Sequence, residues 1–298
     1  MTSEPNTGDF ASNPAGWLRS AADRADTVLQ IMNQPPGDGS PQAVESAAIA
    51  GRFDEAEYKY GDVGQHMIEG AAQYAGRYLA HVVRSVRELA TAIDGHALLS
   101  VPTIVRSHVE FAGRAVWLVE PLEGDPADTA FERVCRMNLD LYVSKCYVRT
   151  ALETLGSPAA KDAKLAREEA ADQIRRRFTD PDPELKWAGV GSEANFSIGG
   201  FSYAGLTAVT KRFLKSWDHQ DVSADGIYDV LSGFSHPSPS FIDEQLDEVE
   251  LETHRVVYWD QGLGFTISLA SYSHLALFKL TDSVASYMGR QEVLPNSD

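Results

Sequence analysis

A chain of 298 residues that is 43% hydrophobic and 23% charged can bury a sizeable core, which excludes disordered and fibrous classes. Its formal net charge of −17 repels phosphate backbones and anionic lipid, so non-specific nucleic-acid or membrane-surface binding is disfavoured. No apolar run approaches the roughly eighteen residues of a membrane helix, and the opening Met1 to Asn6 lacks the basic and apolar regions of a signal peptide, so the expected location is the cytoplasm.

Residues 1–12 are polar and read as a disordered tail, as do residues 291–298, which leaves a single helical domain over 13–290. Asn13 is an N-cap before Pro14, and Trp17, Ala21, Ala25, Val28 and Met32 recur at helical spacing until Pro35-Pro36-Gly37 stops them. A linker follows, then a short helix over Ala43 to Ala50. Asp62 caps a long helix striped by Met67, Ala71, Tyr74, Tyr78, Val82, Leu89 and Ile93, and Asp94-Gly95 closes it. The next helix, Val101 to Val119, stops before Pro121, and another spans Ala127 to Leu155. Ser157-Pro158 opens a charged surface helix that ends at Arg175-Arg176-Arg177, where cations offset the helix dipole.

Gly189 to Gly200 reads as a glycine-rich loop that follows no strand and lacks the lysine-serine ending of a P-loop. Helices resume over Tyr203 to Trp217, Ala224 to Gly233 and Thr266 to Met288. Between the last two, Val249 to Trp259 alternates apolar and polar residues and reads as a strand paired beyond Gly262. The predicted fold is therefore all-α, a multi-helix bundle with one short β-hairpin near residues 249–267.

The helix Val101 to Val119 carries the chemistry. At about 100° per residue, Arg106, Glu110 and Arg114 form a narrow polar stripe with Thr103 and Trp117. Val105, Val109, Ala112 and Val116 flank it on one side, and Ile104, Phe111 and Leu118 on the other. Charges hemmed in by apolar surface point at partners inside the protein rather than at solvent. The following helix places Glu132, Arg133, Arg136, Asp140 and Tyr147 on adjoining faces. A buried charge without a partner costs several kcal/mol, so the arginines require Glu110, Glu132 or Asp140 beside them, and the two helices are predicted to be antiparallel neighbours. Further on, Tyr228, Ser232 and Ser235 share one helical face, and His236 sits at the terminus, where the dipole favours its protonated form.

The string Arg106-Ser107-x-x-Glu110-x-x-x-Arg114-x-x-Trp117-Leu118-x-x-Pro121, followed by Glu132-Arg133-x-x-Arg136 and by Tyr228-x-x-Leu231-Ser232-x-x-x-His236, resembles a group of uncharacterised actinobacterial helical proteins. That group is distantly similar to a domain of unknown function with HEPN-like bundles of abortive-infection and toxin systems. The resemblance implies a helical bundle in which these polar residues face one another. It brings no reaction with it. A HEPN ribonuclease also needs an Arg and His a few residues apart; Arg212 and His219 supply one such pair, outside the matching stretches, in a motif loose enough to arise by chance.

No cofactor or metal is expected, because the sequence has neither a His-Glu-x-x-His nor a Glu-x-x-His pair. His108 points about 160° away from Arg106 and reads as a core histidine. Asp54, Glu55 and Glu57 read as a solvated face. Cys135 and Cys146 lie eleven residues apart on one helix, roughly 16 Å, too far to bridge each other.

Two functions follow. In the first, the seam is an ion-pair network that fixes helix register in a protein working through a protein partner or as a homo-oligomer, in stress or phage defence. In the second, Arg106, Glu110, Arg114, Arg133, Arg136 and Ser232 hold a small anionic ligand, with Tyr228 or His236 as proton donor or acceptor.

Overall fold

A computed structural model describes residues 7–53, 61–97, 100–178, 183–185, 196–203, 205–217, 224–235, 246–250, 255–259 and 263–291. Its helices are α1 (Thr7–Ser12), α2 (Pro14–Ile31), α3 (Pro41–Ile49), α4 (Val63–Asp94), α5 (Val101–Val119), α6 (Pro126–Thr154), α7 (Ala160–Arg177), α8 (Leu206–Lys215), α9 (Ala224–Ser235) and α10 (Leu263–Tyr287). The fold is an all-helical bundle with short β elements, and among the described residues no helix is long and apolar enough to cross a membrane.

One local device starts three of the helices. Asn13, Ser40 and Asp125 each accept a hydrogen bond from a backbone N–H of the first turn, and each is followed by a proline whose missing N–H costs a helix start nothing. Asp62 caps α4 in the same way without the proline.

α5 runs through the middle, with α4, α8, α9 and α10 packed around it. Val101, Val105, Ala112, Ala115 and Leu118 are fully buried. The approach of α8 is close enough that a Cβ at Gly113 would meet Phe213 Cβ at 3.2 Å and Thr210 Cα at 3.3 Å. α2 packs on α4 and α10, α3 on α4 and α6, and α7 on α6. The end of α10 clasps the linker ahead of α3. Gly37 N–H donates to the Met288 carbonyl (2.8 Å), and Arg290 donates to the Pro35 carbonyl (2.9 Å).

Three stretches differ from the sequence reading. The glycine-rich region and its flanks form a small antiparallel sheet, β1 (Glu184–Leu185), β2 (Phe196–Ile198) and β3 (Phe201–Ser202), in that order. Gly199 and Gly200 form the two-residue turn between β2 and β3, with φ of +59° and +85°, the geometry that suits a tight hairpin. Gly199 is doubly required, because a Cβ there would sit 2.8 Å from the Phe131 ring. Second, the expected hairpin lies wholly within 246–259. β4 (Leu246–Glu250) pairs antiparallel with β5 (Arg255–Trp259), and the residues after 262 enter α10 instead of a strand. The helical pattern of Leu269, Ala270, Ser273, Leu277, Leu280 and Val284, all buried, explains that outcome. Third, residues 7–12 of the expected tail form α1, and Phe10 packs edge-on against Trp17 at 6.2 Å and close to His274 at 5.9 Å.

Candidate functional site

Arg133 is the largest fully buried side chain among the described residues. α6 projects it toward α3, where Nε and Nη2 each donate to the Glu45 carboxylate at 2.9 Å. Nη1 donates to the Leu118 carbonyl (2.7 Å), and Nη2 also to that of Glu120 (3.0 Å). From α10, the Tyr287 hydroxyl donates to Glu45 (2.8 Å), while the Arg133 guanidinium lies 4.6 Å from the Tyr287 ring centre. Burial opposes the charge on Arg133, and the Glu45 hydrogen bonds together with the electrostatic pull of Tyr287, Glu45 and Glu120 outweigh it. Burial likewise holds the Tyr287 phenol well above its ordinary value, so it stays a donor.

One turn along α6, Arg136 donates to Glu132, to Glu120 Oε1 (2.6 Å) and to the Trp117 carbonyl (2.6 Å). The last carbonyls of a helix have no partner within it. Arg133 and Arg136 supply donors to three at the end of α5, so these two side chains act as a C-terminal cap sent from another helix.

Farther from that end, Arg114 donates to Asp140 and to Ser144 Oγ (2.6 Å), and the Tyr78 hydroxyl donates to the second Asp140 oxygen at 3.2 Å. Burial pushes the Asp140 carboxyl up, against the pull of Arg114; it raises the Tyr78 phenol too. At the start of α5, Arg106 donates to Glu110 (2.8 Å), which also accepts from the Tyr228 hydroxyl of α9 (3.1 Å). Thr207 of α8 lies 3.3 Å from that hydroxyl. This pair is the more open one, with 17% and 19% of the two side chains exposed.

The chain matches no family model, no curated protein and no solved structure.

The expected partners meet in several cases: Arg106 with Glu110 and Tyr228, Arg114 with Asp140, and Arg136 with Glu132. The seam is not one cavity, however. Its arginines form separate stations along α5, each closed by its own carboxylate. α5 and α6 do run antiparallel, since 114, 117 and 118 reach 140, 136 and 133. Yet they are bridged by long side chains, and α5 makes its close backbone contacts with α4, α8 and α10. The arginine side chains span the separation that direct helix packing would remove.

Ser232 is half-buried on α9 and forms no side-chain hydrogen bond among the described residues. His236 and His219 lie outside the described residues. Arg212 pairs with Glu120 at 3.0 Å, a second cation on the carboxylate that Arg136 uses. His108 is fully buried, its Nδ1 2.5 Å from Ser273 Oγ, and burial drives its imidazole down to about 3.

Glu45, Glu120 and Tyr287 were not singled out by sequence reasoning, and Tyr78 was read only as part of the stripe of α4. For Glu45 a signal existed: it is the one charged residue in Pro41–Ile49, an otherwise apolar and small helix. Chemically, an anion arriving at Arg133 or Arg136 would have to displace a carboxylate and one or two carbonyls at once. Both cysteines are free and buried, and burial pushes the thiols up, away from the nucleophilic form.

Proposed function

We infer that the arginine seam is a register-fixing framework, and that the protein works in the cytoplasm by associating with a second copy of itself through the distal half of α6. The observation that carries this reading is saturation: Arg106, Arg114, Arg133 and Arg136 each already have a carboxylate partner. Ion pairs already closed inside the protein hold helices in place and leave little for a ligand to bind.

The surface offered to a partner lies beyond the seam. Val148, Leu152 and Leu155 follow one another at i, i+4 and i+7, and Leu155 is 79% exposed while the buried Cys146 lies about 160° round from Val148. A second copy suits this stripe. Antiparallel pairing about its centre sets Val148 against Leu155 of the second copy and brings Arg149 beside the opposing Glu153. The setting of stress or phage defence rests on the motif resemblance alone.

Sedimentation velocity tests the association. A dimer is expected that tightens as salt is raised, because two chains of charge −17 repel until screened. Val148→Glu with Leu155→Glu should yield a folded monomer. A wild-type chain that stays monomeric at high salt and tens of micromolar protein contradicts the reading.

A further inference from the structure

The cavity that stands apart from the seam lies between α4, α6 and α7. It is a half-open groove of about 280 Å³, small against the roughly 300–1,000 Å³ of ordinary ligand sites. Met67 from α4, Leu141 and Tyr142 from α6 and Ile174 from α7 give it an apolar floor. Its rim carries Lys145, Arg176 and Arg177, and no carboxylate lines it among the described residues.

This concentration of cations is unusual for a chain of net charge −17. The dipole of α7 explains basic residues in its last turn, but it does not explain Lys145, which sits mid-way along α6. Nor are Lys145 and Arg176 neutralised as their neighbours are. Arg175 pairs with Asp172 on the outer side of α7, and Arg149 with Glu153, whereas Lys145 and Arg176 have no ion-pair partner among the described residues. Arg177 turns its Nη1 inward, 3.4 Å from Asn138 Oδ1. Like charges gathered over an apolar floor repel one another until an anion joins them.

The geometry points to this groove as a binding site for a small amphipathic organic anion, one carboxylate or sulfonate on a short apolar body. The anionic head meets Lys145 and Arg176 at the rim, and the body covers Met67, Leu141 and Ile174. A bare inorganic anion forgoes the floor, and a neutral apolar molecule forgoes the rim. The site is independent of the arginine seam.

Calorimetric titration of the full chain with octanoate, octanol and inorganic phosphate separates these contributions. Octanoate is expected to bind one per chain, with octanol and phosphate each at least about tenfold weaker. Arg176→Glu, at an exposed position, and Lys145→Gln should each weaken octanoate by about tenfold or more while the helical circular dichroism and melting temperature stay put. The gentler lysine change gives the same reading should the charge reversal unsettle α7. Octanol binding as tightly as octanoate, phosphate binding as tightly, octanoate affinity untouched by both variants, or no octanoate binding at all would each overturn the assignment.

Discussion

Two triads of the same composition sit at opposite ends of α5. Arg133, Glu45 and Tyr287 join residues 88 and 242 positions apart, with the arginine and carboxylate side chains only 1% and 6% exposed. Arg106, Glu110 and Tyr228 join residues 4 and 118 apart, at 17% and 19% exposure. The first ties α3, α6 and α10 to the end of α5. The second closes one turn of a single helix and tethers α9 to it. Burial gives identical chemistry unequal consequences: in the dry triad every donor lost leaves a charge or lone pair uncompensated, while water replaces what the open triad loses.

Arg133→Ala strands the Glu45 carboxylate and uncaps α5. A loss of about 3–5 kcal/mol is expected in urea unfolding, enough to leave many domains unfolded. Arg106→Ala should cost less, about 1–2 kcal/mol, because the pair is half-buried and water reaches the carboxylate it leaves behind. Next come the tyrosines. Tyr287→Phe removes a donor from a buried carboxylate and should destabilise by about 2 kcal/mol, against under about 1 kcal/mol for Tyr228→Phe, both read from denaturation midpoints at a common slope.

A smaller effect comes from buried imidazoles that face no opposite charge. Burial, then the nearby His81, lowers the His108 imidazole to about 3, with the Ser85 backbone pulling weakly the other way. His274 is lowered to about 4, mainly by burial. The unfolded chain takes up protons at these positions as pH falls below about 6.5 and the folded chain does not, so stability is full above that value and is lost below it. Each contributes roughly 1.4 kcal/mol per pH unit. Unfolding at pH 7.5 and 5.5 should show that loss, and His108→Gln should remove about half of the histidine share. An unchanged pH slope in the variant would count against an uncharged, buried His108.

The open triad was legible in the sequence and the dry one was not, for a physical reason. Arg106 and Glu110 lie one helical turn apart, and Tyr228 belongs to a spaced motif, so local periodicity brings them into view. The helices themselves were legible because cap residues and prolines mark where they start. Glu45 meets Arg133 where α3 packs on α6, and Tyr287 meets them where the end of α10 docks on the linker at Gly37; tertiary docking leaves no periodic trace. The same holds for Phe196 and Ile198. Their strand is short and lies under α6, with Phe196 edge-on to Tyr142 at 5.4 Å, so the glycines around it dominated the pattern. Arg133 and Arg136 stayed open between framework and ligand in the sequence, which shows a donor without showing that carbonyls at the end of α5 accept from it.

The dry arginine triad ties α3, α6 and α10 to the end of α5. A double-mutant cycle with Arg133→Met and Glu45→Gln, read by equilibrium urea unfolding, tests it most directly. The expected coupling is about 2–3 kcal/mol, with the parallel cycle at Arg106 and Glu110 giving less than about 1 kcal/mol. A coupling near zero between Arg133 and Glu45, or equal couplings at the two ends of α5, would contradict the account.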